Sequence, residues 1–259
     1  MIPGAFCGPW AFEKFRKPFE AAGYRVHTPA LRHHEHGAPV HRTLGTTSLT
    51  DYAQDLAKLI QEMDAPPILL GHSLGGLLAQ MLAAKGLARA LVLLAPCPPW
   101  GMLPSTFFEI ASAQTMLFAG DFWNAPLKPD YGIAAANSLD RLPPAERHKV
   151  FAHFVPESGL ATFEIMHWAF DAKRAALVHP ESVTCPILAF AGAHDRINPP
   201  STVRRIVERY KGRAIFEELA GHSHWLVGEP GWEKIAARAV DWLDRLAPAA
   251  KRKAGVKSV

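Results

Sequence analysis

The sequence predicts an α/β fold: a mostly parallel sheet flanked by helices, with a helical cap inserted between two of its strands. Three observations lead there. Short runs that are apolar throughout ("PPILLGHS", "ALVLLAP" and "CPILAFAG") recur along the chain, and such runs suit strands covered on both faces. Between them lie segments whose apolar residues return at helical spacing. From about Cys97 to Pro180 the alternation lapses into Pro- and aromatic-rich sequence with helical patches and no convincing strand.

In chain order, Trp10, Phe12, Phe15, Phe19 and Ala22 have helical spacing, and Pro18 is expected to kink or interrupt that helix. "YRVHTPAL", after Gly23, reads as a strand. "LTDYAQDLAKLIQEM" sets Leu49, Tyr52, Ala53, Leu56, Ile60 and Met63 on one helical face, with Thr50 and Asp51 near its start for capping. "PPILLGHS" enters a tight turn, and "GGLLAQMLAAKG" leaves it as a helix ending at Gly86. "STFFEIASAQTMLF" and "TFEIMHWAFDA" are the helical patches of the insertion. The regular pattern resumes with "CPILAFAG", the helix "STVRRIVERY", the strand "AIFEELA" and a last helix bearing Trp232, Ile235, Ala236, Ala239, Trp242 and Leu246. There is no internal repeat. The expected organisation is a core from 1 to 97, a cap from 98 to 180, the rest of the core from 181 to 247, and a disordered basic tail from 248 to 259.

At 259 residues the chain can bury a sizeable core as one elaborated domain. No apolar run approaches the roughly 18 to 20 residues of a membrane span, and "MIPGAFCGPW" has neither the basic flank nor the apolar core of a signal peptide. Three scattered cysteines, Cys7, Cys97 and Cys185, fit a reducing compartment, which points to the cytoplasm. The net charge of +4 sits in the tail: without its four basic residues, 24 basic residues face 24 acidic ones. With no basic stripe interleaved with aromatics, nucleic acid is not an expected partner.

The chemistry starts at "ILLGHSLGG", a Gly-x-Ser-x-Gly pattern at Gly71, Ser73 and Gly75 with an apolar strand before it and an apolar helix after it. A chain that lifts a hydroxyl clear of a sheet must turn sharply, which strains the nucleophile and leaves no room for side chains at Gly71 and Gly75. Gly76 lets the following helix pack close. A serine hydroxyl needs a base to take its proton and a third group to orient that base. In this architecture the acid follows the serine and the histidine follows the acid. Asp195, in "LAFAGAHDRINPP", lies just beyond the carboxyl end of an apolar strand and is the candidate acid, with Asn198 better placed to cap the next helix. Asp171 and Glu181 are alternatives that precede the strand. For the base, "LAGHSHWLVGEPGW" offers both His222 and His224.

On these residues, "PGAFCGPW", "GHSLGG", "AGAHDRINPP" and "GHSHWLVGEPGW", the chain resembles the α/β-hydrolase fold family in its cap-bearing esterase and lipase-like branch. The motifs span almost the whole chain apart from the cap and the tail. The resemblance implies that the base is the histidine directly before an aromatic residue, which favours His224 before Trp225 and leaves His222 as the alternative. It implies an oxyanion hole made by the backbone N–H of Leu74, next to the nucleophile, and of Ala5. Relatives usually carry His-Gly there; this chain has Pro3-Gly4. Only two residues precede Pro3, so the strand leading into the loop is almost absent, as are the two strands that usually come before it. Either this is an abbreviated variant or the sequence starts downstream of the true beginning.

The activity so implied is hydrolysis of carboxylic esters through an acyl-enzyme on Ser73, with a small-molecule ester as substrate and no cofactor. A serine nucleophile argues against the dehalogenase and epoxide-hydrolase branches, whose nucleophile is a carboxylate. The same triad serves a thioesterase, a carbon–carbon bond hydrolase, a hydroxynitrile lyase or a perhydrolase. A non-catalytic binding protein on this scaffold would be marked by a lost triad member. "RHHEHG" (His33, His34, Glu35, His36) lacks the spacings of a zinc site and reads as a polar loop at the pocket rim, so no metal is expected. The cap aromatics Phe107, Phe108, Trp123, Phe163, Trp168 and Phe170 read first as cap core and second as a substrate pocket.

Overall fold

The computed structural model describes residues 1–118 and 120–246, so the basic tail expected from 248 lies outside the described residues. In chain order the elements are α1 (Glu13–Ala21), α2 (Leu49–Gln61), β1 (Ile68–His72), α3 (Leu74–Ala83), β2 (Ala90–Leu94), α4 (Phe107–Leu117), β3 (Pro126–Leu127), α5 (Tyr131–Asn137), α6 (Pro144–Phe151), β4 (Glu157–Ser158), α7 (Gly159–Met166), β5 (Ile187–Gly192), α8 (Pro200–Glu208), β6 (Ala214–Leu219) and α9 (Trp232–Leu246). The three apolar runs form β1, β2 and β5, and with β6 they make one parallel sheet in the order β1-β2-β5-β6.

Every residue of β2 and β5 is buried, as strands covered on both faces require. Successive side chains alternate between two packed layers. Leu69, Leu91, Leu93, Ile187 and Ala189 share one core with residues of α2, α3 and α8. Leu70, Val92, Leu94, Leu188 and Phe190 share the other with Phe15 and Phe19 of α1 and Ala239 and Trp242 of α9. Strand β6 lies at the edge and is only partly buried.

Several local expectations are corrected. Residues 24–31 are not a strand. The outer edge of β1 is met by Ile2, whose N–H donates to the Leu70 carbonyl at 2.8 Å and whose carbonyl accepts from His72 N–H at 3.2 Å. Pro29, within the 24–31 segment, has no N–H to give a further ladder. Pro18 lies inside α1 rather than breaking it; the change of geometry comes earlier, at Phe12, where a 3-10 turn over Pro9–Phe12 gives way to the α-helix. Helix α2 is capped by Ser48, not Thr50, in a reciprocal box with Asp51. The insertion contains one short antiparallel pair, Pro126 with Ser158 and Leu127 with Glu157.

The aromatics expected in the cap divide. Trp123 and Phe163 pack at 5.2 Å and Trp168 meets Trp100 at 5.1 Å, whereas Phe107 and Phe170 are largely exposed and belong to no core.

Candidate active site

The turn between β1 and α3 is as tight as the glycines require. A Cβ at Gly71 would stand 2.2 Å from the Gly75 carbonyl oxygen, and one at Gly75 would stand 2.1 Å from the Ile2 carbonyl oxygen. Both obstacles are backbone, which cannot rotate away. Gly75→Ala is therefore expected to cost at least about 3 kcal/mol and to lower yield of folded protein sharply. An alanine variant with an unchanged melting temperature would contradict this. Ser73, at the apex, takes φ 51° and ψ −117°, a left-handed backbone that a serine adopts only when its surroundings impose it.

Two other segments meet each other beside the elbow, the His224 ring lying 4.9 Å from that of His72. Asp195 follows the carboxyl end of β5, and His224 lies in the loop after β6. His224 Nδ1 is 2.8 Å from Asp195 Oδ2, both groups being buried. The other carboxylate oxygen accepts from the N–H of Ile197 at 2.8 Å and of Asn198 at 2.9 Å. A carboxylate only accepts, so the imidazole must carry a proton on Nδ1, and in the neutral ring Nε2 is then the bare nitrogen. Ser73 Oγ has Cys97 Sγ at 3.6 Å as its side-chain contact. Burial pushes the Cys97 thiol up, so it is a neutral neighbour and not a base. Asn198 does not cap α8: its Nδ2 donates to the Ala95 carbonyl at 2.8 Å and lies 3.6 Å from Cys97 Sγ.

The other candidates lie apart from this arrangement. His222 Nδ1 is paired at 3.0 Å with the buried Glu229, which also accepts from Ser223 N–H with both oxygens. Asp171 is spent on the N–H groups of Lys173 and Ala175, and Glu181 pairs with His179 at the surface. Of the proposed oxyanion donors, Leu74 is the first residue of α3. Ala5 follows Gly4, where a Cβ would stand 3.2 Å from Ser73 Cβ, so that loop lies against the serine. Among the described residues nothing accepts a hydrogen bond from either N–H.

His72, inside the elbow motif, has a part that its sequence position did not announce. Its Nε2 donates to the His224 carbonyl at 2.9 Å, and its ring lies 4.9 Å from the His224 ring and edge-on to Trp225. Burial first, then the electrostatic effect of the neighbouring His224, lower its pKa from 6.5 to about 3. The unfolded chain thus binds a proton that the folded chain refuses, and stability falls as pH drops from 6.5 toward 3, by about 1.4 kcal/mol per unit once well below 6.5. His72→Gln, whose amide can still donate to that carbonyl, is expected to flatten the melting-temperature profile between about pH 6.5 and 4. An unchanged acid slope would assign it to other groups.

Among the described residues no three His, Cys, Asp or Glu side chains converge as a metal site, and no helix is long and apolar enough to cross a membrane. The sequence model of a family described as the alpha/beta hydrolase family matches residues 1–238. A pyrethroid hydrolase of Sphingobium wenxiniae is 36% identical over 110 residues, 41% of this chain and 39% of that protein, so the match spans well under half of the relative's length. Among solved structures, a monoacylglycerol lipase of Paleococcus ferrophilus superposes with a TM-score of 0.70 at 24% identity, covering 95% of this chain and 93% of the other. A pyrethroid hydrolase of Sphingobium faniae superposes with a TM-score of 0.66 at 22% identity, covering 96% and 97%.

Proposed function

The chain belongs to the alpha/beta hydrolase family, and from that premise we propose that it is a serine hydrolase of carboxylic esters working through an acyl-enzyme. The observation that carries this is the contact of His224 Nδ1 with Asp195 Oδ2 at 2.8 Å, with the His224 ring 4.9 Å from that of His72, which precedes a serine held at φ 51°. Ser73 Oγ attacks the ester carbonyl while His224 Nε2 takes its proton. Asp195 keeps the imidazole in that tautomer and stabilises the imidazolium. The N–H groups of Leu74 and Ala5 receive the oxyanion. His224 then returns the proton to the leaving alcohol, and a water, deprotonated by the same imidazole, releases the acid. Hydrogen bonds between nucleophile and base are often long without substrate and tighten when it binds, so the Cys97 contact of Ser73 is compatible with this path.

The lipase and the pyrethroid hydrolases among the similar proteins support esters, apolar ones included, as the substrate class. Residues 98–180 act as the cap over the site. No cofactor takes part, and three unpaired cysteines accord with a cytoplasmic enzyme. A non-catalytic binding role would need a missing triad member, and all three are in place in the sequence.

The acyl-enzyme makes a specific demand. Two esters with one acyl group and different alcohols must pass through the same intermediate. In the presence of hydroxylamine they are expected to give the same ratio of hydroxamate to acid. Ratios that depend on the leaving alcohol would contradict the acyl-enzyme, and a folded protein that hydrolyses no ester would contradict the activity itself.

A further inference from the structure

One buried ionic cluster supplies no reacting group to the acyl transfer. Glu157, on β4 in the cap segment, is 1% exposed, and His34, from "RHHEHG", is 0% exposed. Four donors surround the carboxylate. Oε1 accepts from Tyr52 Oη at 2.8 Å and from Ser158 N–H at 2.7 Å. Oε2 faces His34 Nε2 at 3.0 Å and accepts from Phe6 N–H at 3.3 Å. The second nitrogen of His34, Nδ1, faces the Arg32 carbonyl at 2.9 Å. With an acceptor at each ring nitrogen, His34 satisfies both only as an imidazolium, and Glu157 as its anion. Burial is the largest single influence and would lower His34 and raise Glu157, but the partner's charge and the hydrogen bonds together outweigh it, holding the imidazole above and the carboxyl below their ordinary values.

The cluster touches the proposed reaction at one place. Phe6 directly follows Ala5, and its φ of 62° is unusual for a bulky residue. Both polar groups of Phe6 are held from the cap side: its N–H by Glu157 and its carbonyl by Val155 N–H at 2.9 Å. The N–H that Glu157 holds belongs to the peptide joining Ala5 to Phe6. Fixing that peptide plane limits rotation at the Ala5 Cα, and hence the direction of the Ala5 N–H on its other side.

Building on the esterase reading above, we propose that Glu157, clamped by His34 and Tyr52, is a positioning residue that pins the Ala5–Phe6 peptide and so aims the Ala5 N–H at the oxyanion. The oxyanion hole then depends on the seating of the cap, because one of its two donors is braced by a cap carboxylate. An oxyanion is stronger as an acceptor than the ester carbonyl it comes from. Loosening this donor therefore lowers kcat more than it weakens substrate binding.

The test is ester hydrolysis, together with inhibition by a trifluoromethyl ketone that forms a tetrahedral adduct on serine, in wild type, Glu157→Gln and His34→Gln. An amide offers one acceptor oxygen where four donors converge, so Glu157→Gln must leave donors facing its NH2 group. Removing a whole oxyanion donor costs about 100- to 1,000-fold in kcat, and misaiming one is expected to cost about 10- to 100-fold. KM should stay within about threefold, and the inhibition constant of the ketone should rise by the factor by which kcat/KM falls. Assays are run below the melting temperature of each variant. A variant that melts earlier yet keeps wild-type kcat and ketone affinity per folded molecule would reduce Glu157 to a prop of the cap and overturn the proposal. If Glu157→Gln does not fold, His34→Gln decides with the same two outcomes. A wild type that hydrolyses no ester overturns the underlying reading, and this shows before any variant is made.

Discussion

His224→Ala is expected to lower kcat about a million-fold, while His222→Ala stays within about threefold of wild type. The two histidines are separated by one residue but serve different partners. His224 meets Asp195 at 2.8 Å, and His222 meets Glu229 at 3.0 Å. Without the imidazole of His224 nothing takes the Ser73 proton: Cys97 holds its own, and His72 gives Nε2–H to the His224 carbonyl. In His222→Ala the Glu229 carboxylate still accepts from Ser223 N–H with both oxygens, so the expected cost is stability of about 1 kcal/mol rather than activity. Steady-state kinetics with melting curves on the two variants checks this. The opposite pattern would move the base to His222.

Asp195→Asn should be damaging too, though less so, with the fold intact and a loss in kcat of about 10,000-fold. The amide oxygen can keep the N–H groups of Ile197 and Asn198, which the carboxylate now holds at 2.8 and 2.9 Å. Its NH2 group then faces His224 Nδ1 and compels that nitrogen to accept. The proton moves to Nε2, the atom that must receive the serine proton, and the base is blocked without any change of shape. Circular dichroism and melting temperature close to wild type, alongside the lost turnover, separate this effect from misfolding. Retained activity would mean that His224 does not need Asp195 to fix its tautomer.

The fold and the candidate site were legible in the sequence to the degree that they are local. Strands β1, β2 and β5 announce themselves because burial on both faces demands unbroken apolar runs, and Gly71, Ser73 and Gly75 because a five-residue turn writes its steric needs into neighbouring positions. Asp195 could be read from its place after such a strand. The choice between His222 and His224 could not, since both sit in the same loop; it came from resemblance, and only their different partners in the fold distinguish them physically. The 24–31 segment has the composition of a strand, but Pro29 removes a donor and Ile2 already meets the edge of β1. Helix α1 runs through Pro18 without interruption, which excludes one of the two effects expected of that proline. The Glu157 cluster left no trace in spacing. His34 and Tyr52 are 123 and 105 residues away from that carboxylate, and contacts at such separations are made by topology alone. "RHHEHG" reads in sequence as a polar loop at the pocket rim, whereas its His34 is fully buried against Glu157.

The most direct test of the central claim is labelling of the folded protein with a fluorophosphonate, followed by mass spectrometry of its peptides. A serine activated by His224 and supported by an oxyanion hole is expected to take up one phosphonyl group, located on Ser73 and absent from Ser73→Ala. Folded wild-type protein that remains unlabelled, or that carries the group on another serine, would contradict the account.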